Sequence, residues 1–358
     1  MPELDLSASS ADLTRAICDM PSVSGDEKSL ADAIHAAIGG LAHLEVYRDG
    51  DTIVARTDRG RAQRVVIAGH IDTVPINANV PTRDIELDGA PYIWGRGTVD
   101  MKAGVAVQLK LAAELADPRI DVTWMWYDHE EVAAELNGLN RLSQSRPDLF
   151  AGDFAILGEP SNGEVEGGCN GNLRAIVRTH GVRAHSARAW IGENAIHRAA
   201  PALMRLSEYR PRDVAVEGLV YREGLNAVRI GGGVAGNVIP DLCEIEVNYR
   251  FAPSRSVAEA EDHVRNVFEG FEVEVVDSSE GARPGLDAPL AQEFVAAVGA
   301  TPKPKYGWTD VARFSALGVP AVNYGPGDPH LAHHDEERVP VAQIEGVEQG
   351  LRTWLTAS

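Results

Sequence analysis

Glu130 and Glu131 end an aromatic-rich apolar stretch, Trp124-Met-Trp-Tyr-Asp-His-Glu-Glu131, and precede a helix-like run, Ala133–Leu142. Two adjacent carboxylates at a strand end repel each other unless something positive stands beside them. A cation held by one would leave the other free to handle protons. Taken alone, the pair is better explained as an acidic helix start, since carboxylates favour the first turn of a helix. Chemically similar residues recur along the chain. His70 and Asp72 follow the apolar run Arg64–Gly69, and residues two apart on an extended segment face the same way. An imidazole then stands beside a carboxylate that can fix its environment, as metal-binding histidines require. A hydrogen-bonded structural histidine would look the same. Asp100 closes the glycine-rich turn Trp94-Gly-Arg-Gly-Thr-Val-Asp100 and opens a helical pattern to about Leu115, as a ligand or as a helix cap. Glu159 ends the apolar segment Asp153–Gly158, and the loop from Gly325 to Glu337 carries His333 and His334.

The elements expected to carry these residues form an α/β pattern. Strands near 65–69, 122–127 and 153–157, separated by helices, predict a mostly parallel sheet with helices on both faces. Ligands bind beyond the carboxyl ends of such strands, which is where His70, Glu130, Glu131 and Glu159 fall. Upstream, helices over Asp12–Met20 and Glu27–Ile38 precede a hairpin of Leu44–Arg48 and Thr52–Arg56. Between 171 and 281 the order changes to β-α-β-β-α-β, the ferredoxin-like split motif. The division expected is therefore a catalytic domain of residues 1–170 and 282–358, interrupted by an inserted α+β domain of residues 171–281.

The 358 residues suffice for that arrangement, and the net charge of −20 argues against nucleic acid or an anionic membrane as a partner. No apolar run is long enough to span a bilayer, and Met-Pro-Glu-Leu-Asp-Leu lacks the features of a signal peptide. Three scattered cysteines, Cys18, Cys169 and Cys243, fit neither a disulfide framework nor a thiolate zinc site. A cytoplasmic protein is the expectation. The glycine-rich turn is no phosphate loop, because the required glycine–lysine order is absent.

Two histidines and three carboxylates can hold two divalent metals if one carboxylate is shared. Imidazole and carboxylate without thiolate suit zinc, or alternatively cobalt or manganese. Glu130 is left uncoordinated, able to accept a proton from water, and the chemistry implied is amide hydrolysis.

Gly69-His70-Ile-Asp72-Thr-Val-Pro75, Gly97-Thr-Val-Asp100-Met-Lys-Ala-Gly104, Glu130-Glu131 and Gly158-Glu159-Pro160 together resemble the signature of the co-catalytic dizinc family that contains carboxypeptidase G, aminoacylase, acetylornithine deacetylase and succinyl-diaminopimelate desuccinylase. The motifs stand in the family's order across almost the whole chain. The resemblance implies that His70 and Glu159 hold one metal, that Asp100 bridges, and that Glu131 and a late histidine hold the other. Glu130 is then general base and acid, and Asp72 orients His70. The family's His-x-x-Asp/Asn/Glu-Glu-x-aliphatic pattern fits His333-His-Asp-Glu336-Glu337-Arg-Val339, whereas starting at His334 puts Arg338 in an acidic position. His333 is the ligand expected.

The insertion resembles the family's dimerisation lid, through Gly181-Val-Arg-Ala-His185-Ser-Ala and Asn194-Ala-Ile196. By that likeness the protein is a homodimer in which His185 stabilises the oxyanion of the partner's site. Asn237, Arg250, Thr309 and Arg313 also follow family patterns, the arginines as carboxylate clamps and the others as neutral hydrogen-bonding groups. Trp126–Glu131, Glu135–Asn140 and Gly167–Leu173 resemble the family's high-GC Gram-positive desuccinylase branch most. That branch implies a small N-acyl amino acid substrate, N-succinyl-LL-2,6-diaminopimelate. An arginine expected soon after Asn170-Gly171 in other desuccinylases is here Asn172. Acetylornithine deacetylase and an N-acyl amino acid amidohydrolase or dipeptidase share the same ligands. A non-catalytic metal- or amino-acid-binding protein would have no need of Glu130.

Overall fold

The computed structural model describes residues 3–357. Met1 and Pro2 of the amino-terminal segment considered above lie outside the described residues. Two compact units are present: one holds the chain up to Gly168, Pro284–Lys303 and the chain from Thr309 onward, and the other holds Cys169–Arg283 and Pro304–Trp308.

The first unit is built on an eight-stranded sheet. Its centre consists of the parallel strands Asp121–Tyr127, Arg64–His70, Phe154–Leu157 and Ala321–Asn323. All four are buried almost throughout, as their unbroken apolar runs require of strands covered on both faces. The margins are antiparallel, with the hairpin Glu45–Asp49 and Thr52–Arg56 joining Asp121–Tyr127. His70 lies opposite Tyr127, and Ala68 opposite Leu157, so the central strands end at one level. Residues immediately after them, Asp128 to Glu131 and Gly158 to Glu159, therefore leave the sheet along one edge.

The helix Lys102–Glu114 is buried along nearly its whole length and packs on Arg64–His70. Its cap position is Met101, with no side-chain cap hydrogen bond, so Asp100 is not a helix cap. The expected helix over Ala133–Leu142 does not form in that register. The chain turns at His129, where φ is +58°, and runs irregularly until Asn137 caps a helix over Gly138–Ser145. The main-chain N–H of Gly138 donates to the Asp128 carbonyl at 2.9 Å, closing this loop. The acidic pair thus stands in a loop, not at a helix start.

The second unit has a four-stranded antiparallel sheet in the order Gly224–Gly232, Leu242–Phe251, Gly171–His180, Glu272–Ser279. Helices Ala200–Glu208 and Val257–Val267 pack with it, giving the expected ferredoxin-like order. The first helical segment of this order is broken at Ala199 into Ala195–Arg198 and Ala200–Glu208, because Pro201 has no N–H to continue the ladder. A hairpin of Asp213–Val216 and Leu219–Arg222 was not expected. Its turn is Glu217-Gly218, both with positive φ, the backbone a tight hairpin needs. Pro304–Trp308 belongs with this unit and not with the resumed catalytic domain: the Asn170 N–H donates to the Lys305 carbonyl at 3.3 Å and Trp308 Nε1 to the Glu280 carbonyl at 3.0 Å.

Candidate metal centre

His70 closes its strand fully buried, with Nε2 3.1 Å from Asp100 Oδ1. Its Nδ1 faces the Asp72 main-chain carbonyl at 3.0 Å and the Asp72 carboxylate at 3.4 Å. With Nδ1–H donated to the carbonyl, Nε2 keeps its lone pair toward Asp100, the orientation a ligating imidazole needs. Asp72 does more than face His70. Its carboxylate accepts the main-chain N–H of Glu130 at 3.0 Å and of Glu131 at 3.1 Å, together with the Ser24 hydroxyl at 2.7 Å. One buried carboxylate therefore fixes both the strand end and the acidic loop.

On the other side, His333 Nε2 stands 3.0 Å from the Glu131 carboxylate and 3.3 Å from Asp100 Oδ2. Asp100 thus turns one oxygen toward each of two imidazoles, the disposition of a bridging carboxylate. His334 is directed elsewhere, its Nδ1 accepting the Glu336 N–H at 3.1 Å. Ligand atoms of His70, Asp100 and Glu131 lie within 4.8 Å of one another, the set among the described residues that could hold a metal ion. Glu159 is outside that close set, but it is buried and near enough to bear on the charge of Glu130.

The electrostatics test whether this set suits a cation. Burial opposes charging His70, yet its bonds to Asp100 and Asp72 carry its pKa well above the ordinary range. Hydrogen bonds to Asp100 and Glu131 push His333 up to about 10 against the cost of burial. The carboxylates draw protons onto both rings, and a divalent ion would satisfy the same field. Burial pushes Glu130 well above the carboxylate range, helped by Asp310, Glu159 and Glu131 and opposed by His70. Nitrogen and oxygen donors without thiolate fit zinc, cobalt or manganese. The residues present fit a divalent metal.

The other anticipated residues divide. Thr309 is buried and donates its hydroxyl to Asn323 Oδ1 at 2.9 Å. Arg313 pairs through Nε with the buried Asp310, which also accepts from Asn137 Nδ2 at 3.0 Å. In the second unit, exposed His185 accepts the Ala187 N–H on Nδ1 at 3.0 Å, so that Nε2 carries the proton and is a donor. Asn237 is exposed, and its main-chain carbonyl accepts the Ser186 N–H at 2.8 Å. Arg250 is half-buried and makes no ion pair with any described residue. Cross-strand from it, Asn172 accepts from Asn248 at 2.7 Å and donates to Asp277 at 3.3 Å.

Several supporting groups escaped the reading of the sequence. Buried Glu27 accepts the N–H groups of Gly25, at 2.9 Å, and of His129, at 3.2 Å, while Asp128 accepts from His129 Nδ1 at 2.6 Å and Arg141 at 2.9 Å. Together they hold the turn that delivers Glu130 and Glu131.

A parallel-centred α/β unit carrying a histidine–carboxylate centre, with a ferredoxin-like unit inserted, is the organisation of a metal-dependent hydrolase. The model of peptidase family M20/M25/M40 matches residues 66–357, and the chain belongs to that family. It is 47% identical to a Corynebacterium glutamicum protein named succinyl-diaminopimelate desuccinylase, over 99% of this chain and 98% of that one. It is 50% identical to a Mycobacterium tuberculosis protein provisionally given the same name, over 98% of this chain and 99% of the other. Among solved structures, a Staphylococcus aureus tripeptidase superposes with a TM-score of 0.78 at 20% identity, covering 99% of this chain and 98% of that one. A dinuclear metal-binding peptidase of the M20 family from Bacillus subtilis gives a TM-score of 0.70 at 16% identity, over 97% and 96% of the two chains. These two likenesses establish the fold.

Proposed function

We propose that this enzyme hydrolyses N-succinyl-LL-2,6-diaminopimelate to succinate and LL-2,6-diaminopimelate. The observation that carries the hydrolytic reading is Asp100, one oxygen toward each imidazole, with an uncoordinated, half-buried Glu130 alongside. The identity of the acyl group is supported by the names of the full-length relatives.

His70 and Glu159 would hold one divalent ion, Glu131 and His333 a second, and Asp100 both, with Zn2+ the best match and Co2+ a substitute. Such ions supply Lewis acidity that polarises the amide carbonyl and eases deprotonation of water. Glu130 takes a proton from water as its oxygen bonds to the amide carbon, and returns it to nitrogen as the C–N bond breaks. Glu130 stands outside the close ligand set, so its carboxylate is free to carry that proton between the two events.

The donor Nε2 of His185 would bind the oxyanion in the partner's site. A homodimer through the second unit is supported by apolar side chains left open there, Trp190, Val228, Ile230 and Val234 among them. Arg250 is a better carboxylate clamp than Arg313, which is already paired with Asp310. Asn237 and Thr309 would supply neutral hydrogen bonds. A reducing, cytoplasmic setting agrees with three buried free cysteines, and no helix among the described residues is long and apolar enough to cross a membrane.

The test is a side-by-side assay of the zinc-loaded protein on N-succinyl-LL-diaminopimelate, N-acetylornithine and an N-acyl amino acid. The expected outcome is a kcat/KM for the succinyl substrate at least ~10-fold above the others, a margin of differential transition-state binding that a few extra contacts supply. A higher value for either competitor overturns the assignment.

A further inference from the structure

Glu337 belongs to the late histidine motif, yet the proposed chemistry gives it no part. Its side chain is fully buried. Oε1 accepts the main-chain N–H of Val99 at 2.8 Å and of Asp100 at 3.0 Å. Oε2 accepts from Arg96 Nη1 at 2.9 Å, and Arg96 is itself buried. The main-chain carbonyl of Glu337 accepts the Gly95 N–H at 2.9 Å, and Arg96 reaches back to the His334 carbonyl at 3.3 Å. The loop that presents Asp100 and the segment that presents His333 are therefore laced together within five residues of each of those side chains.

Burying a carboxylate and a guanidinium is costly, and apolar side chains of similar volume would hold two loops together at least as well. Apolar packing could not set the direction of two successive N–H groups. The Val99 and Asp100 N–H groups belong to the peptide planes on either side of Val99. Pinning both on one oxygen fixes the backbone entering Asp100, and with it the direction in which that carboxylate projects. Asp100 must satisfy two partners at once, His70 at 3.1 Å and His333 at 3.3 Å, so it tolerates little rotation.

We propose that Glu337 is a positioning residue of the metal centre, setting Asp100 against His333 so that one carboxylate serves both ions. This rests on the metal-centre reading and is independent of the substrate. His70 is anchored separately, by its strand and by Asp72, so the ion at His333 should depend on Glu337 far more than the ion at His70.

The experiment is a zinc titration of metal-stripped wild type, Glu337→Gln and Glu337→Asp against a chromophoric chelator, with metal-free thermal unfolding and Co2+ visible absorption as companion measurements. Glutamine keeps the size but turns an N–H against Arg96; aspartate keeps the charge but draws the oxygens back. The expected result is one ion bound within about threefold of wild type and the other weakened ~10–100-fold, the range for outer partners of metal ligands. The Co2+ spectrum of the second equivalent should change, while the metal-free unfolding temperature stays near wild type. Unchanged affinity for both ions overturns the proposal. So does a loss at both sites that tracks a drop in metal-free stability, or failure of both variants to fold, since each marks a purely structural role. A wild type that binds no second ion would instead remove the metal-centre reading itself.

Discussion

Glu130 and Glu131 are neighbours in sequence, and the fold gives them different surroundings. Glu131 meets His333 and belongs to the close ligand set, while Glu130 lies outside it, half-buried and within the fields of Asp310 and Glu159. If Glu130 only shuttles protons, Glu130→Ala should keep both metals and lose ~10²–10⁴-fold in kcat, the usual worth of a positioned acid–base. Metal analysis and turnover on the same sample check this, and near-normal turnover with full metal content would refute the role. That His70 and His333 should meet at Asp100 was legible because their types sit at motif spacing. The contacts of Asp72 were only half legible. Its proximity to His70 follows from alternation along a strand, but its hold on the Glu130 and Glu131 N–H groups depends on where a distant loop arrives. Main-chain donors carry no side-chain signature, and Glu27 went unnoticed for the same reason.

Among the elements, the central strands were readable from their apolar runs, and their shared edge follows from parallel pairing. The loop after Tyr127 was not readable. Ala133 and Ala134 carry good helix propensity, yet the chain is held by Asp72, Glu27 and a positive φ at His129, so tertiary contacts overrode local preference. The helix Lys102–Glu114 shows the opposite case, a correct element whose critical residue looked unimportant. Gly104 is the third residue of that helix, where alanine is ordinarily favoured by at most about 1 kcal/mol. A Cβ there would meet the Gly158 carbonyl far inside contact distance, and backbone cannot swing aside as a side chain can. Overpacking of this kind costs about 1–3 kcal/mol, so the clash should outweigh the propensity gain. Gly104→Ala is expected to be net destabilised in urea unfolding. Because Asp100 lies four residues before Gly104 and Glu159 directly follows Gly158, it should also bind metal more weakly. A stabilised variant with normal metal content would show that the helix and strand end can separate at no cost.

At the scale of the whole molecule, the insertion was legible as a change of rhythm, from strand–helix alternation to β-α-β-β-α-β. Pro304–Trp308 was not, since its membership in the second unit rests on hydrogen bonds to Asn170 and Glu280 from far along the chain. The second unit leaves Trp190 80% exposed and Val228 and Ile230 at 58% and 50%, an apolar surface on an otherwise strongly acidic protein. Closed twofold pairing through such a face would give each site the His185 of its neighbour. A His185→Ala subunit keeps Glu130 but receives no imidazole from its own kind, and a Glu130→Ala subunit lacks the base. In a mixed dimer, the site on the His185→Ala subunit regains both groups, while the other site has neither. Random exchange makes about half the dimers mixed, each with one working site of two, so roughly a quarter of wild-type activity should return from two inactive parents. If His185 served its own subunit, every site in the mixture would lack one group. A mixed dimer verified by two affinity tags that stays as inactive as its parents would therefore exclude action across the interface.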